Sequence, residues 1–437
     1  MSFNKKHKTL ALAVAATLAA TAQADELTIA TVNNADMIIM QELAPQWEKA
    51  TGHTLNWVIL EENVLRQRVT TDIATDGGTY DIITIGAYEA PLWGKNQWLK
   101  PLDDLGAEYN YDDIFPSVRN GLSADGSLYA VPFYAESSFT FYRKDLFEQA
   151  GLTMPAKPTW SQIKDYAAAL HKPEQDQYGI CLRGKAGWGD NMAVFGTMVN
   201  AFGGRWFDMD WKPELNSKEW KNALNFYVDL VTNYGPPGTP SNGHNENRAL
   251  FASGKCAMWV DATSAAGYVY NPNESEVAEV TGFTAAPSEV TDKGTGWFWA
   301  WALSVPNSSK KEAAAKDFLK WATSAEYVKL VGETKGWVAA PPGTRKSTYA
   351  NSQYTSAAPF AKTVQNQILS ADPANATLKP VPYSGVQFVA IPEFQGIGTY
   401  VGQMVSAALA QTQTPEAVLE ASQRYATQEM TRAGYIK

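Results

Sequence analysis

The segment YDIITIG, residues 80–86, is a nearly continuous apolar run of the kind that forms a strand buried on both faces of a sheet. Two β-rich runs precede it, LTIATV at residues 27–32 and TLNWVIL at residues 54–60. Apolar residues at helical spacing separate the runs, as at Leu65 and Val69 before the third one. The order βαβαβ predicts the start of a parallel sheet in an open α/β domain.

Polar side chains follow each of the three predicted strands. They are Asn33, Asn34 and Asp36 after the first strand, Glu61, Glu62 and Asn63 after the second, and Tyr88 and Glu89 after the third. Open parallel sheets bind ligands outside the carboxyl ends of their strands. We therefore predict a binding site that includes Asn34, Glu62, Asn63 and Tyr88. The alternative is that these residues are helix N-caps and solvated turns.

A second stretch, GTGWFWAWALSVP at residues 294–306, places Trp297, Trp299 and Trp301 at every second position. In a strand, all three indoles would point to the same face of the sheet. Carboxylates, amides and guanidinium groups pair with the hydroxyls of sugars and polyols, while indole faces pack on their C–H surfaces. We predict that at least one tryptophan of the row lines such a site, and we select Trp297 and Trp299. The alternative is core packing against helices.

The N-terminal segment has the features of a signal peptide. A basic start is followed by a short apolar run and by the small-x-small sequence Ala22-Gln23-Ala24. The apolar run is too short and too rich in alanine for a comfortable membrane span. We predict a signal peptide over residues 1–24 that is cleaved after Ala24, and a mature chain that is exported to the periplasm.

The charge balance argues against nucleic acid and against an anionic membrane surface as partners. The full chain carries a formal net charge of −9, and residues 1–24 hold three lysines and no acid, so the mature chain carries −12. Its length predicts two or three domains. Two cysteines are present, Cys181 and Cys256, in two candidate strands. In an exported chain they can form a disulfide, and the alternative is two buried free thiols.

The signatures of common catalytic and metal sites are missing from the sequence. The four histidines are scattered, and no HExxH, EF-hand or zinc-type spacing occurs. No GxSxG motif is present. Gly179, Gly184 and Lys185 resemble the start of a P-loop, but Ala186 stands where that motif needs a hydroxyl for magnesium. We expect no cofactor and no metal.

Three stretches, taken in order along the chain, resemble the bacterial extracellular solute-binding proteins of ABC importers, in the maltose-binding-protein-like group. They are DGSLYAVPFYAESSFTFYRKDLFEQAGLTMPAKPTW, ALFASGKCAMWVDAT and ALSVPNSSKKEAAAKDFLKWATS. Four further segments resemble the branch of this group that binds mannitol and sorbitol. They are LEENVLRQRVTTDIA, GICLRGKAGWGDN, WFWAWAL and IPEFQGIGT.

The resemblance implies an α/β periplasmic-binding-protein fold with two lobes, each a mostly parallel sheet flanked by helices, joined by a hinge. It implies lobe I over residues 25–134 and 294–345, and lobe II over residues 135–293 and 346–437. It also implies ligand contacts at Glu136 and Asp261, at Arg183 and Trp188, and at Trp337.

The predicted function is that of a receptor. A polyol or sugar would bind between the two closing lobes of a monomer and pass to a membrane permease through a transient contact, without chemistry. One alternative is a secreted glycoside hydrolase, which would carry paired carboxylates roughly 5–10 Å apart. Another is a receptor for an oligosaccharide, which would require a longer groove.

Overall fold

The computed structural model of the chain describes residues 24–437. The predicted signal peptide therefore lies outside the described residues, apart from Ala24. No helix within the described part of the chain is both long and apolar enough to cross a membrane.

The strands form two main sheets and one short hairpin. The first sheet has the order β2-β1-β3-β10-β6, the second has the order β8-β7-β9, and β4 pairs with β5. The strands are β1 (Glu26–Val32), β2 (Thr54–Leu60), β3 (Ile82–Gly86), β4 (Ser123–Ala124), β5 (Ser127–Leu128), β6 (Val131–Glu136), β7 (Ser138–Arg143), β8 (Met258–Ala262), β9 (Thr281–Ala285) and β10 (Trp299–Ser304).

The helices cover the sheets and divide between the two lobes. They are α1 (Ala35–Leu43), α2 (Pro45–Thr51), α3 (Glu62–Ala74), α4 (Glu89–Lys95), α5 (Pro116–Gly121), α6 (Lys144–Gln149), α7 (Trp160–Leu170), α8 (Asn191–Ala201), α9 (Lys218–Tyr234), α10 (His244–Ala252), α11 (Ala266–Val269), α12 (Glu312–Ala322), α13 (Ala325–Lys335), α14 (Lys346–Ala350), α15 (Ser352–Ala357), α16 (Ala361–Ser370), α17 (Phe394–Leu409) and α18 (Pro415–Arg432).

The first lobe is built on the βαβαβ unit that the sequence predicts. Strands β2 and β3 run parallel to β1, and every residue of β3 is buried. Strand β10 pairs antiparallel with both β3 and β6. The chain path explains this pairing. The chain leaves the sheet at the carboxyl end of β6 and returns to the same edge of the sheet at the start of β10. The tryptophan row therefore starts beside the carboxyl ends of β1, β2 and β3.

The second lobe differs from the predicted mostly parallel sheet. Its central strand β7 pairs antiparallel with both β8 and β9. The chain crosses between lobes at Ser137, because β6 ends at Glu136 and β7 begins at Ser138. Strand β7 thus runs away from the hinge, while β8 and β9 run back towards it. Among the described residues of the second lobe, parallel pairing appears only at isolated bridges, such as Cys181 with Trp259.

The helices after residue 345 change the predicted boundary of the lobes. Helix α14 packs against α13, and α16 packs against α5 and β6, which all belong to the first lobe. Helices α17 and α18 pack against α8 and α9 of the second lobe. We therefore propose that residues 346–370 belong to the first lobe and that the chain returns to the second lobe only after Ser370.

Cys181 and Cys256 form a disulfide in the structure, with their Cα atoms 5.9 Å apart. Cys256 lies two residues before β8, and the chain around Cys181 runs alongside that strand. Both side chains are fully buried. The link joins two segments of the second lobe that are 75 residues apart in sequence.

Candidate functional site

A cavity of about 340 Å³ lies between the two lobes. The first lobe contributes residues at the carboxyl ends of β1, β2 and β6, together with α3 and β10. The second lobe contributes the loop between residues 183 and 190, the start of α10 and the end of β8. The polar and aromatic lining includes Asn34, Glu61, Glu62, Arg66, Tyr134, Glu136, Arg183, Lys185, Trp188, Asp190, His244, Ser264, Trp297, Trp299, Trp301 and Gln387.

Four tryptophans form the aromatic wall of the cavity. Trp297, Trp299 and Trp301 all line it from β10 and the residues just before that strand. Trp188 reaches it from the second lobe and packs edge-on against Trp299, with ring centroids 5.7 Å apart. The indoles are almost fully buried, so most of their remaining surface faces the cavity. The tryptophan row therefore packs in the core and also lines the cavity. The two interpretations given as alternatives in the sequence analysis both hold.

Arg66 is held between the tryptophans and two carboxylates. Its guanidinium carbon lies 3.9 Å from the ring centroid of Trp188. Its Nε and Nη2 donate to Oε1 of Glu62 at 3.1 and 2.9 Å, and Nη1 donates to Glu89. Planar guanidinium groups suit this combination of stacking and forked donation. These bonds use only Oε1 of Glu62. No group among the described residues donates to its Oε2, which can therefore accept a hydrogen bond from a ligand hydroxyl.

A buried ion pair with Asp261, which lies outside the cavity lining, fixes the orientation of Arg183. Its Nε and Nη2 donate to the carboxylate at 2.9 and 2.6 Å, and Nη1 donates to the carbonyl of Gly189 at 2.9 Å. Asp261 is fully buried, also lies 2.8 Å from His244 Nδ1, and does not line the cavity. Burial alone would raise the pKa of Asp261, but the charges of Arg183 and His244 outweigh it and hold that pKa below its usual range.

Two further carboxyl groups that face the cavity have raised pKa values. Burial raises the pKa of Glu136 to about 8, against the opposing effect of a hydrogen bond from Ser264. Burial, with help from the neighbouring charge of Glu62, raises the pKa of Asp190 to about 7. Both groups are therefore poised to hold a proton near neutral pH and to donate as well as accept.

Seven of the eleven residues predicted to bind ligand line the cavity. They are Asn34, Glu62, Glu136, Arg183, Trp188, Trp297 and Trp299. Asn34 is also the N-cap of α1: its Oδ1 accepts from the amide of Met37, and its Nδ2 donates to Tyr134 Oη, both at 2.9 Å. The capping and binding interpretations of Asn34 are thus compatible.

The other four predicted residues lie outside the cavity. Asn63 bridges the lobes, because its Nδ2 donates to the carbonyl of Ala186 and to Asp190, both at 3.2 Å. The hydroxyl of Tyr88 donates to the carbonyl of Ile391 at 3.0 Å, behind the aromatic wall. Asp261 acts through Arg183, as described above. Trp337 packs over Gly332 at the end of α13 and does not reach the lining.

Several lining residues were not selected from the sequence. Arg66 lies one helical turn after Glu62 on α3, on the same face of the helix. The helical spacing in the sequence could therefore have identified it. Lys185 and Asp190 lie in the same loop as Arg183 and Trp188, which the sequence analysis did select. His244 begins α10, and only the fold brings it to Asp261. No group of metal-ligating side chains is found among the residues that the structure describes.

Comparisons with known proteins agree on one family. Residues 33–329 match the model of the bacterial extracellular solute-binding protein family. A mannitol-binding protein of Pseudomonas aeruginosa is 58% identical over 415 residues, which cover 95% of each chain. A solute-binding protein of Agrobacterium vitis S4, solved with bound D-mannitol, is 57% identical, with a TM-score of 0.93 over 95% of this chain and all of that one.

A third protein extends the comparison. A solute-binding protein of Agrobacterium radiobacter K84, solved in complex with ribitol, is 27% identical, with a TM-score of 0.82 over 92% of this chain and 98% of that one. These matches confirm the predicted two-lobed α/β fold class. The chain belongs to the family of bacterial extracellular solute-binding proteins.

Proposed function

We propose that this protein is the periplasmic receptor of an ABC importer for a linear polyol of the mannitol or sorbitol type. One ligand molecule binds between the lobes, the lobes close on it, and the receptor passes it unchanged to the membrane permease. The observation that carries the proposal is the cavity itself, in which both lobes present indoles and hydrogen-bonding groups around a small volume.

The polar groups of the cavity suit a molecule with many hydroxyls. Each hydroxyl taken from water without a partner costs about 1–3 kcal/mol, so a polyol site must offer many partners. Arg66 and Arg183 keep N–H groups beyond those used in their ion pairs, and Glu62 keeps one free oxygen. The four indoles that line the cavity offer apolar surface for the C–H groups between the hydroxyls.

The pairing of charges favours a neutral ligand. Arg66 is paired with Glu62, and Arg183 is paired with Asp261. Lys185 Nζ lies 2.8 Å from Glu61 Oε1. Because each cation at the cavity already has a carboxylate partner, no cation remains to compensate the desolvation of an acidic ligand. This arrangement distinguishes a polyol from a sugar acid or a phosphorylated sugar.

The size of the cavity favours a single unit over an oligosaccharide. Its volume of about 340 Å³ lies at the lower end of the range for small-molecule sites, roughly 300–1,000 Å³. Bonds between the lobes border the cavity, including Lys185 with Glu61 and Asn63 with Asp190. The relatives that bind mannitol and ribitol support the same class of ligand.

The cellular setting is part of the proposal. The family is extracellular by description, and we propose export by a signal peptide cleaved after Ala24. We further propose that the receptor acts as a monomer, contacts its permease only transiently and performs no catalysis.

Isothermal titration with D-mannitol, D-sorbitol, ribitol, D-mannose and maltose tests the proposal. We expect at least one hexitol to bind more tightly than either sugar, and Trp188→Ala to weaken that binding at least tenfold. Trp337→Ala is the matched control, because it removes an indole outside the cavity. Absence of binding by every alditol, or equal losses in the two variants, would overturn the proposal.

The rival hydrolase is tested by incubating the protein with oligosaccharides and their alditol derivatives. We expect each compound to be recovered unchanged by nuclear magnetic resonance. Release of monosaccharide that depends on Glu136 or Asp190 would identify an enzyme instead.

A further inference from the structure

A second cavity of about 240 Å³ lies beside the first, again between the lobes. Its walls come from α1 and the turn at residues 337–339 in the first lobe, and from α10 and α11 in the second. Ser264 is the one described residue that lines both cavities. It stands in the short turn after β8 and forms the shared wall.

The position of Ser264 is fixed by bonds to the hinge crossing. Its hydroxyl donates to Oε2 of Glu136, the last residue of β6. The preceding residue, Thr263, donates its amide to the carbonyl of Ser137 at 2.8 Å. The hydroxyl of Thr263 accepts from the amide of Ser137 at 3.1 Å. These bonds hold the wall at the end of the first cavity.

The second cavity also combines charged, aromatic and aliphatic groups, although none of the described tryptophans lines it. The guanidinium carbon of Arg248 lies 4.4 Å from the ring centroid of Tyr268. Asp36 faces Arg248 from the other lobe, and neither side chain makes a hydrogen bond to another described residue's side chain or backbone. Val338 and Phe360 add apolar surface. The space could therefore accept a sugar ring, with hydroxyls on the charged groups and C–H faces on the apolar ones.

We propose that Ser264, held by Glu136, is the specificity-determining end wall that limits the ligand to one polyol unit. The inference rests on the proposed function and adds the upper limit of ligand length. With the wall in place, a polyol that carries a second sugar unit is excluded. Without it, the second unit enters the neighbouring cavity.

The first test removes the wall with Ser264→Gly and compares sorbitol with maltitol, which is sorbitol carrying one glucose unit. We expect the wild type to prefer sorbitol at least 100-fold, and the variant to reduce that preference at least tenfold. Ser253→Gly is the matched control, because Ser253 is an exposed serine of the same lobe that lines neither cavity. It should keep the wild-type preference.

The second test thickens the wall with Ser264→Val. We expect hexitol affinity to fall at least fivefold more than the affinity for the four-carbon alditol erythritol. Melting curves identify any variant that does not fold, in which case Ser264→Thr, which adds a single methyl group, replaces Ser264→Val. The inference would be overturned if Ser264→Gly left the sorbitol-to-maltitol ratio unchanged and Ser264→Val left the hexitol-to-erythritol ratio unchanged. Tight binding of maltitol by the wild type would overturn it as well. A wild type that binds no alditol would instead overturn the proposed function.

Discussion

Replacing Asp261 by alanine should destabilise the fold as well as weaken ligand binding. Asp261 is fully buried and accepts hydrogen bonds from Arg183 at 2.9 and 2.6 Å and from the Trp259 indole at 3.1 Å. The variant leaves the charge of Arg183 buried and unpaired. Breaking a buried pair by removing one partner costs about 3–5 kcal/mol. We therefore expect the free energy of unfolding of the second lobe to fall by about that amount.

Urea unfolding followed by tryptophan fluorescence measures this cost, as a lower midpoint at an unchanged slope. A double variant separates stability from binding. Asp261→Leu with Arg183→Met removes both charges and replaces them by apolar groups of similar size, which is often nearly neutral for stability. We expect the double variant to recover most of the lost stability and still to bind ligand poorly, because Arg183 lines the cavity.

The matched control is Asp145→Ala, which breaks a forked pair with Arg143 near the surface. The side chains of Arg143 and Asp145 are 15% and 27% exposed, so the expected loss is about 0–1 kcal/mol. If Asp261→Ala and Asp145→Ala unfold at the same urea concentration, the reasoning from burial is refuted. A double variant no more stable than Asp261→Ala alone would refute it equally.

Three other perturbations test separate features of the molecule. Burial raises the pKa of Glu136 from its ordinary 4.5 to about 8. The folded protein therefore keeps a proton that the unfolded chain releases, so stability should fall as the pH rises from about 4.5 to about 8; Glu136→Gln should flatten this slope in calorimetric melting. Gly86→Ala places a Cβ against the Trp299 indole and should push it into the cavity, with about a tenfold loss of affinity, about 1.4 kcal/mol by titration calorimetry. Reducing the Cys181–Cys256 disulfide, which closes a segment of 75 residues, should lower the free energy of unfolding by about 4 kcal/mol in denaturant titrations of the reduced protein.

The first lobe was predictable because its pattern is local. Three apolar runs with helical spacing between them specify β1, β2 and β3, and the residues just after these strands include Asn34 and Glu62. The rule that ligands bind at the carboxyl ends of parallel strands then gives the correct edge of the sheet. It could not separate Glu62, which faces the cavity, from Asn63, the next residue, whose side chain reaches across to the other lobe.

The second lobe was harder because its order depends on contacts between distant segments. The antiparallel pairing of β7 with β8 and β9 follows from the path through the hinge, and no short stretch of sequence encodes it. The role of Asp261 likewise depends on a contact between distant segments. A carboxylate at the end of a strand looked like a ligand contact, but Arg183, 78 residues away, occupies its hydrogen bonds. Composition predicted the chemistry of the site, and only packing decides which group faces the ligand.

The ion pairs around the cavity explain how a neutral ligand can be bound by ionised groups. An isolated buried charge is costly, but Arg66 between Glu62 and Glu89, and Arg183 against Asp261, are neutralised before any ligand arrives. Each pair fixes the direction of the N–H groups and oxygens that remain. Charged partners form the stronger hydrogen bonds, so the site gains strength and direction towards hydroxyls. In the proposed function, specificity among polyols then depends on the positions of these fixed groups, and an analogue that lacks one hydroxyl leaves a buried partner unsatisfied.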